Sequence, residues 1–129
     1  MMRFKTQIKE STITGAGLGC FAAEFIPEYS VLWIFDPNLD RKFSQEEIDM
    51  LTDFDREFVE KYSYMHNGYY YLCMDSGRYI NHSEEPNTKE FTDIQVTIAA
   101  RDIQVGEEIL SNYGHFGITE EDYTFNMIL

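Results

Sequence analysis

Between Gly77 and Thr88 the chain reads GRYINHSEEPNT, which gathers an arginine, two asparagines, a histidine beside a serine, and two glutamates. Such side chains can hold a polar ligand or position a reacting group once a rigid scaffold presents them. Nucleophilic catalysis by Ser83 with His82 is not the reading. Adjacent side chains on an extended segment point to opposite faces, and no Gly-x-Ser-x-Gly turn surrounds the serine. His66, His82 and His115 match no compact ligand spacing, and Cys20 and Cys73 form no Cys-x-x-Cys pair, so no metal site is expected. GAGLG (Gly15 to Gly19) looks like a phosphate loop, but no helix pattern opens behind it and no lysine follows. Taken alone it is a flexible turn. Tyr113, near the end of ARDIQVGEEILSNYG, reads by itself as a strand aromatic.

The elements that must present these residues are short. VLWIF (31–35), YYYLCM (69–74) and IQVTIAA (94–100) are rich in β-branched and aromatic residues and bounded by turn formers, which predicts strands. Ser44 and Glu47 make a capping box. Behind it Ile48, Leu51, Asp55 or Phe54, Phe58, Val59 and Tyr62 run at a helical period, which predicts one helix with an apolar stripe. A weaker helix is expected from Thr119, with Asp122 as its box partner. AAEFIPEYSVL (22–32) and AARDIQVGEEI (99–109) echo one another, and each reads as strand, bend, strand. Two similar hairpins in one β-rich domain are therefore expected.

Composition narrows the class. The 129 residues suit a single domain over 1–129, with no low-complexity linker. Ten Lys and Arg against 23 Asp and Glu give a net charge of −13, which opposes direct nucleic-acid binding and favours basic partners. No apolar run approaches the roughly 20 residues that cross a bilayer, so no membrane partner is expected. Two distant cysteines favour a reduced intracellular protein, cytoplasmic or nuclear according to its host. The oligomeric state is not legible.

Three motifs in order change the reading. AGLGCFA, RYINHSEEPN and ARDIQVGEEILSNYG together resemble the SET domain of protein lysine methyltransferases over essentially the whole chain. Among SET proteins the chain is similar to the short, free-standing ones of bacteria and viruses. The resemblance implies a fold of small sheets, mainly β with short helices, and a knot-like crossing where the Asn-His and tyrosine segments pass. It implies that Ala16, Gly17 and Leu18 clasp S-adenosylmethionine from one side, while Asn81 and the backbone of His82 hold it from the other. It implies Tyr113 as the catalytic residue, with Phe35, Ser111 and Tyr113 in the substrate channel for the lysine of a basic protein or peptide.

The chain also departs from the pattern. Glu84 follows Asn-His-Ser where many members have Cys, and the cysteine-rich zinc segment that often follows the domain is missing. Asn112 replaces the usual Asp, and Ser111 stands where many members carry Phe or Tyr. Phe116, Tyr123 and Phe125 are candidates to close the site. The rival reading is a catalytically inactive SET-like module that binds basic peptides through its acidic surface.

Overall fold

The computed structural model describes residues 1–113, so the helix expected from Thr119, and His115, Phe116, Tyr123 and Phe125, lie outside the described residues. Strands dominate, arranged in small sheets. β1 (Thr6–Glu10) and β2 (Leu18–Ala22) form an antiparallel pair. β3 (Val31–Ile34), β8 (Thr88–Phe91) and β9 (Val96–Ala99) form a sheet in the order β3-β9-β8. β4 (Arg41–Phe43), β5 (Ser63–His66) and β6 (Tyr69–Leu72) form another in the order β4-β6-β5. β7 (Asn81–His82) and β10 (Leu110–Ser111) pair in parallel. The three apolar runs picked out in the sequence are β3, β6 and β9.

The helical segment differs from the single stripe expected. The capping box at Ser44 forms, with the Glu47 carboxylate accepting the Ser44 N–H and the Ser44 hydroxyl accepting the Glu47 N–H. That helix, α1 (Gln45–Asp49), nevertheless ends after five residues. Thr52 then caps a second helix, α2 (Asp53–Tyr62), by accepting the Asp55 N–H. The Arg56 guanidinium turns back to the carbonyls of Ile48, Asp49 and Leu51, which satisfies the open end of α1. The break rotates the stripe. Ile48 and Val59 are buried with Phe43 and Leu72, whereas Phe54 is 83% exposed.

The two echoing segments do not close on themselves as separate hairpins; they pair with each other. Ile26 and Ile103 exchange both backbone hydrogen bonds at 2.9 Å. Around that bridge the bonds repeat under exchange of each residue with its counterpart 77 positions on (99 − 22 = 77). The Tyr29 N–H donates to Ala99 O as Gly106 N–H donates to Ala22 O, and Ala99 N–H donates to Ser30 O as Ala22 N–H donates to Glu107 O. Tyr29 and Gly106 even share a left-handed backbone, at φ 68° and 90°. The main core follows from this near-symmetry, because Ala22, Ile26 and Leu32 pack with Ala99, Ile103 and Ile109.

Ile103 is fully buried at the centre of that pairing. Truncation to alanine there removes three carbons from a close-packed interior, and Ile103→Ala is expected to lose about 2–5 kcal/mol in urea denaturation. Truncation to alanine at the exposed Val105 is expected to change stability by less than about 0.5 kcal/mol.

Candidate functional site

Glu108, only 7% exposed, is where three segments meet. Its Oε1 accepts the Thr12 N–H at 2.8 Å and the Thr12 hydroxyl at 2.6 Å. Its Oε2 accepts the Ser11 hydroxyl at 2.7 Å and an Asn81 side-chain N–H at 3.2 Å. Burial pushes this carboxyl up, but the bonds from Thr12, Ser11 and Asn81 together outweigh it, and the group sits below its ordinary value. Gly19 lets the carboxylate in: a Cβ there would lie 2.5 Å from Glu108 Oε2.

Asn81 also donates to Leu18 O at 2.9 Å, across 63 positions of sequence. The loop ahead of Leu18 is closed by bonds from Ser11 N–H to Gly17 O and from Ala16 N–H to Ile13 O. Gly17 has φ 80°, a region where a side chain is strained, and Ala16, Gly17 and Leu18 are exposed. The structure therefore brings Leu18 and Asn81 together.

Asn87, 2% exposed, fixes the strand that leads to Tyr113. Its side chain donates to Glu108 O and accepts from Leu110 N–H, both at 2.8 Å. β7 and β10 then lie side by side, with Asn81 beside Leu110 and His82 beside Ser111. Beyond this pair, His82 Nδ1 accepts the Tyr113 N–H at 3.0 Å, which leaves the ring proton on Nε2, facing Glu84 at 3.2 Å. The Tyr113 hydroxyl donates to Ile80 O at 2.5 Å. Burial, with the nearby Glu90 charge adding to it, holds the phenol above its ordinary value, so it stays a neutral hydroxyl at neutral pH.

Tyr113, Ile80 and Ser111 share one cavity of about 290 Å³. Trp33, Tyr62, Tyr64 and Phe91 give it aromatic walls, and Glu90 and Thr97 contribute polar ones. Tyr64 stacks on Tyr71 with ring centroids 5.3 Å apart and donates its hydroxyl to Gln95. Phe35 lies outside this lining; it packs edge-on against Tyr71 at 5.4 Å and beside Trp33. Tyr62 and Tyr64 stand in the wall instead. The sequence offered little sign of this, since Tyr62 closes a helical stripe and Tyr64 opens a strand. Glu90 was hidden among 23 acidic residues, and Glu108 stood in the GEEI motif without a role of its own.

Both cysteines are protonated thiols, Cys73 in the lining of the cavity. Burial pushes Cys20 up to about 11 and Cys73 up to about 12, so neither is a thiolate at neutral pH. His66 faces Asp93 at 3.3 Å, and among the described residues no three His, Cys, Asp or Glu side chains converge as metal ligands. Among them, too, no helix is long and apolar enough to cross a membrane.

The SET domain family model matches residues 17–114, well over half of the chain, and the chain belongs to that family. A solved structure of a candidate histone methyltransferase from Plasmodium falciparum is similar at 25% identity and a TM-score of 0.60, over 88% of this chain and 96% of that one. The Chaetomium thermophilum polycomb repressive complex 2 is similar in fold at 23% identity and TM-score 0.66, over 88% of this chain. The same complex in an autoinhibited conformation bound to S-adenosylmethionine gives 20% identity and TM-score 0.66, over 96% of this chain. The chain spans only 16% and 17% of those two polypeptides. No curated protein matches the chain.

The residues present suit S-adenosylmethionine in their donor and acceptor chemistry. With its N–H groups turned to Leu18 and Glu108, Asn81 directs Oδ1 the other way, as an acceptor suited to the ammonium of an amino acid. Ala16 and Gly17, exposed in the loop just before Leu18, retain the Gly17 amide and the Ala16 carbonyl outside the loop's own bonds.

The Glu108 cluster has a pH signature. Its folded carboxyl lies below the ordinary value of 4.5, so its contribution to stability is present above that value and lost as pH falls through the lowered folded one. The urea midpoint of the wild type is expected to fall from about pH 5 to 3 more steeply than that of Glu108→Gln. Parallel curves would mean that the cluster contributes nothing to folding.

Proposed function

We propose that the chain is an S-adenosylmethionine-dependent lysine methyltransferase acting on a basic protein or peptide. The observation that carries this reading is the Tyr113 hydroxyl on Ile80 O, at the wall of an aromatic cavity and adjoining the strand pair that holds Asn81. Tyr113 is proposed as the catalytic residue. Ala16, Gly17, Leu18, Asn81 and the His82 backbone are proposed to hold the cofactor, which when bound supplies an electrophilic methyl group on a sulfonium.

The chain's own residues have two tasks. A lysine amine, with an ordinary pKa of about 10.4, must reach the reaction neutral and aligned. Trp33, Tyr62, Tyr64 and Phe91 strip water from it, which disfavours the ammonium, and their rings hold the aliphatic stem straight. The Tyr113 oxygen, kept protonated and anchored on Ile80, offers a fixed polar atom at the cavity wall. His82 sets where that tyrosine stands by accepting its N–H. Ser111 is proposed as a channel residue whose small side chain leaves room beside the amine. The net charge of −13 attracts lysine-rich partners over a range set by ionic strength.

Tyr113→Phe removes one hydroxyl and its bond to Ile80. Methyl transfer to a lysine-rich peptide is expected to fall about 100-fold or more in kcat, with S-adenosylmethionine affinity by calorimetry unchanged. Full turnover in that variant would remove Tyr113 from the mechanism. A wild-type chain that binds basic peptide but not S-adenosylmethionine would establish the inactive binding module instead.

A further inference from the structure

Lys61 lies in the last turn of α2, Arg78 lies in the single turn Ser76–Tyr79 that precedes Asn81, and both line the cavity. Among the described residues neither forms an ion pair with a carboxylate. Two rings join them. Arg78 lies 5.4 Å from the Phe58 ring centroid, Phe58 packs against Tyr62 at 5.0 Å, and the Lys61 ammonium lies 5.2 Å from the Tyr62 centroid. The guanidinium is already oriented, because its Nε–H donates to Cys73 O at 3.0 Å; Nη2 faces the Met74 sulfur at 3.9 Å, and Nη1 takes no partner among the described residues. The end of the fork is open to a carboxylate. Burial, and then the Glu90 charge, hold the Tyr113 phenol up, and neither Lys61 nor Arg78 acts on it, so the two cations stand away from Tyr113. With Lys61 exposed and Phe58 40% exposed, the cluster is on the solvent side of the cavity. A helix dipole accounts for a cation at the end of α2, but not for a second one that a distant turn brings to the same pair of rings.

Resting on the reading of the cavity as a lysine channel, we infer that Lys61 and Arg78 form a subsite for an acidic side chain of the substrate, two residues from the lysine that is methylated. In an extended peptide, side chains at i and i+2 face the same way about 7 Å apart, so a lysine that enters the cavity directs the side chains two positions away along its mouth. An aspartate or glutamate there meets a guanidinium fork and an ammonium, beside rings that partly exclude water. The partner as a whole remains basic. The net charge of −13 acts on it at long range, whereas the cation pair acts on one side chain at contact. Positive charge at the mouth also disfavours an ammonium, in keeping with the neutral amine that the aromatic walls require.

The test uses peptides of one composition, each basic through arginine, with a single lysine and a single glutamate. The glutamate stands two residues before the lysine in one, two residues after it in another, and at the far end in a third, with glutamine filling the vacated places. Net charge is the same in all three, so a difference between them is positional. The wild type is expected to favour one of the near isomers over the distal one about fivefold in kcat/KM, chiefly through KM, with the advantage shrinking in high salt. Lys61→Met is expected to bring that ratio to about one, and Lys61→Glu to invert it. Arg78→Lys keeps a charge but loses the fork, and is expected to lower the ratio to about twofold; Arg78→Gln takes its place should that variant fail to fold by circular dichroism. Calorimetric affinities for the same peptides, which need no catalysis, are expected to follow the same order. Loss of S-adenosylmethionine affinity in Lys61→Met would put the cofactor's carboxylate on the pair and overturn the inference. Equal kcat/KM for the three isomers, or a preference that survives Lys61→Glu, overturns it as well while methyl transfer stands. A Lys61-dependent preference in binding by a chain that transfers no methyl group would uphold the subsite and sink the enzymatic reading.

Discussion

A carboxylate buried beside a glycine must collect hydrogen-bond donors or remain unpaired at high cost, and Glu108 collects its donors from distant parts of the chain. Ser11 and Thr12 approach from the loop before β2, and Asn81 approaches from the middle of the sequence. Once Asn81 is held there, its second N–H reaches Leu18 O, and the glycine loop is registered against the Asn-His strand. The candidate cofactor groove is in this sense a consequence of satisfying one acid. The same demand accounts for Gly19, because any side chain at that position would occupy the space of the carboxylate.

The pairing of the two echoing segments supplies the rigidity behind this arrangement. Ile26 against Ile103 fixes their register, and the bond from Ile109 N–H to Cys20 O extends the contact to the segment that carries Glu108. Asn87 then binds both Glu108 O and Leu110 N–H, so the chain leaving the core is aimed at His82 and Tyr113. Each step uses backbone groups that would otherwise be buried without partners, which is why short strands suffice here. Tyr113 and Ser111 line the cavity together with residues of β5, the β8-β9 hairpin and the turn that precedes Asn81.

Charge works at two ranges. The acidic balance of the whole chain acts at long range and without specificity. Glu90 acts within one cavity, where its bond to Ser111, 21 positions on, and its effect on the nearby Tyr113 tie β8 to the end of the described chain. Tyr113 is kept neutral by that surrounding, and the two buried thiols are kept inert by theirs.

Much of this was legible in the order of residues. The strand runs at 31–35, 69–74 and 94–100, the capping box at Ser44 and the ordered glycine, Asn-His and tyrosine motifs all follow from local propensity or a local pattern, and local patterns survive without tertiary context. Tertiary structure decided the partners. A strand's sequence states which residues alternate but not which strand it meets, so the echoing segments read as two hairpins although they pair with each other. The helical stripe was cut at Thr52 because Arg56 could cap the first helix and Thr52 the second, a balance that periodicity alone does not weigh. Phe35 fell outside the cavity while Tyr62, Tyr64 and Glu90 lined it, since a side chain's neighbours across sheets are set by packing that no single segment encodes.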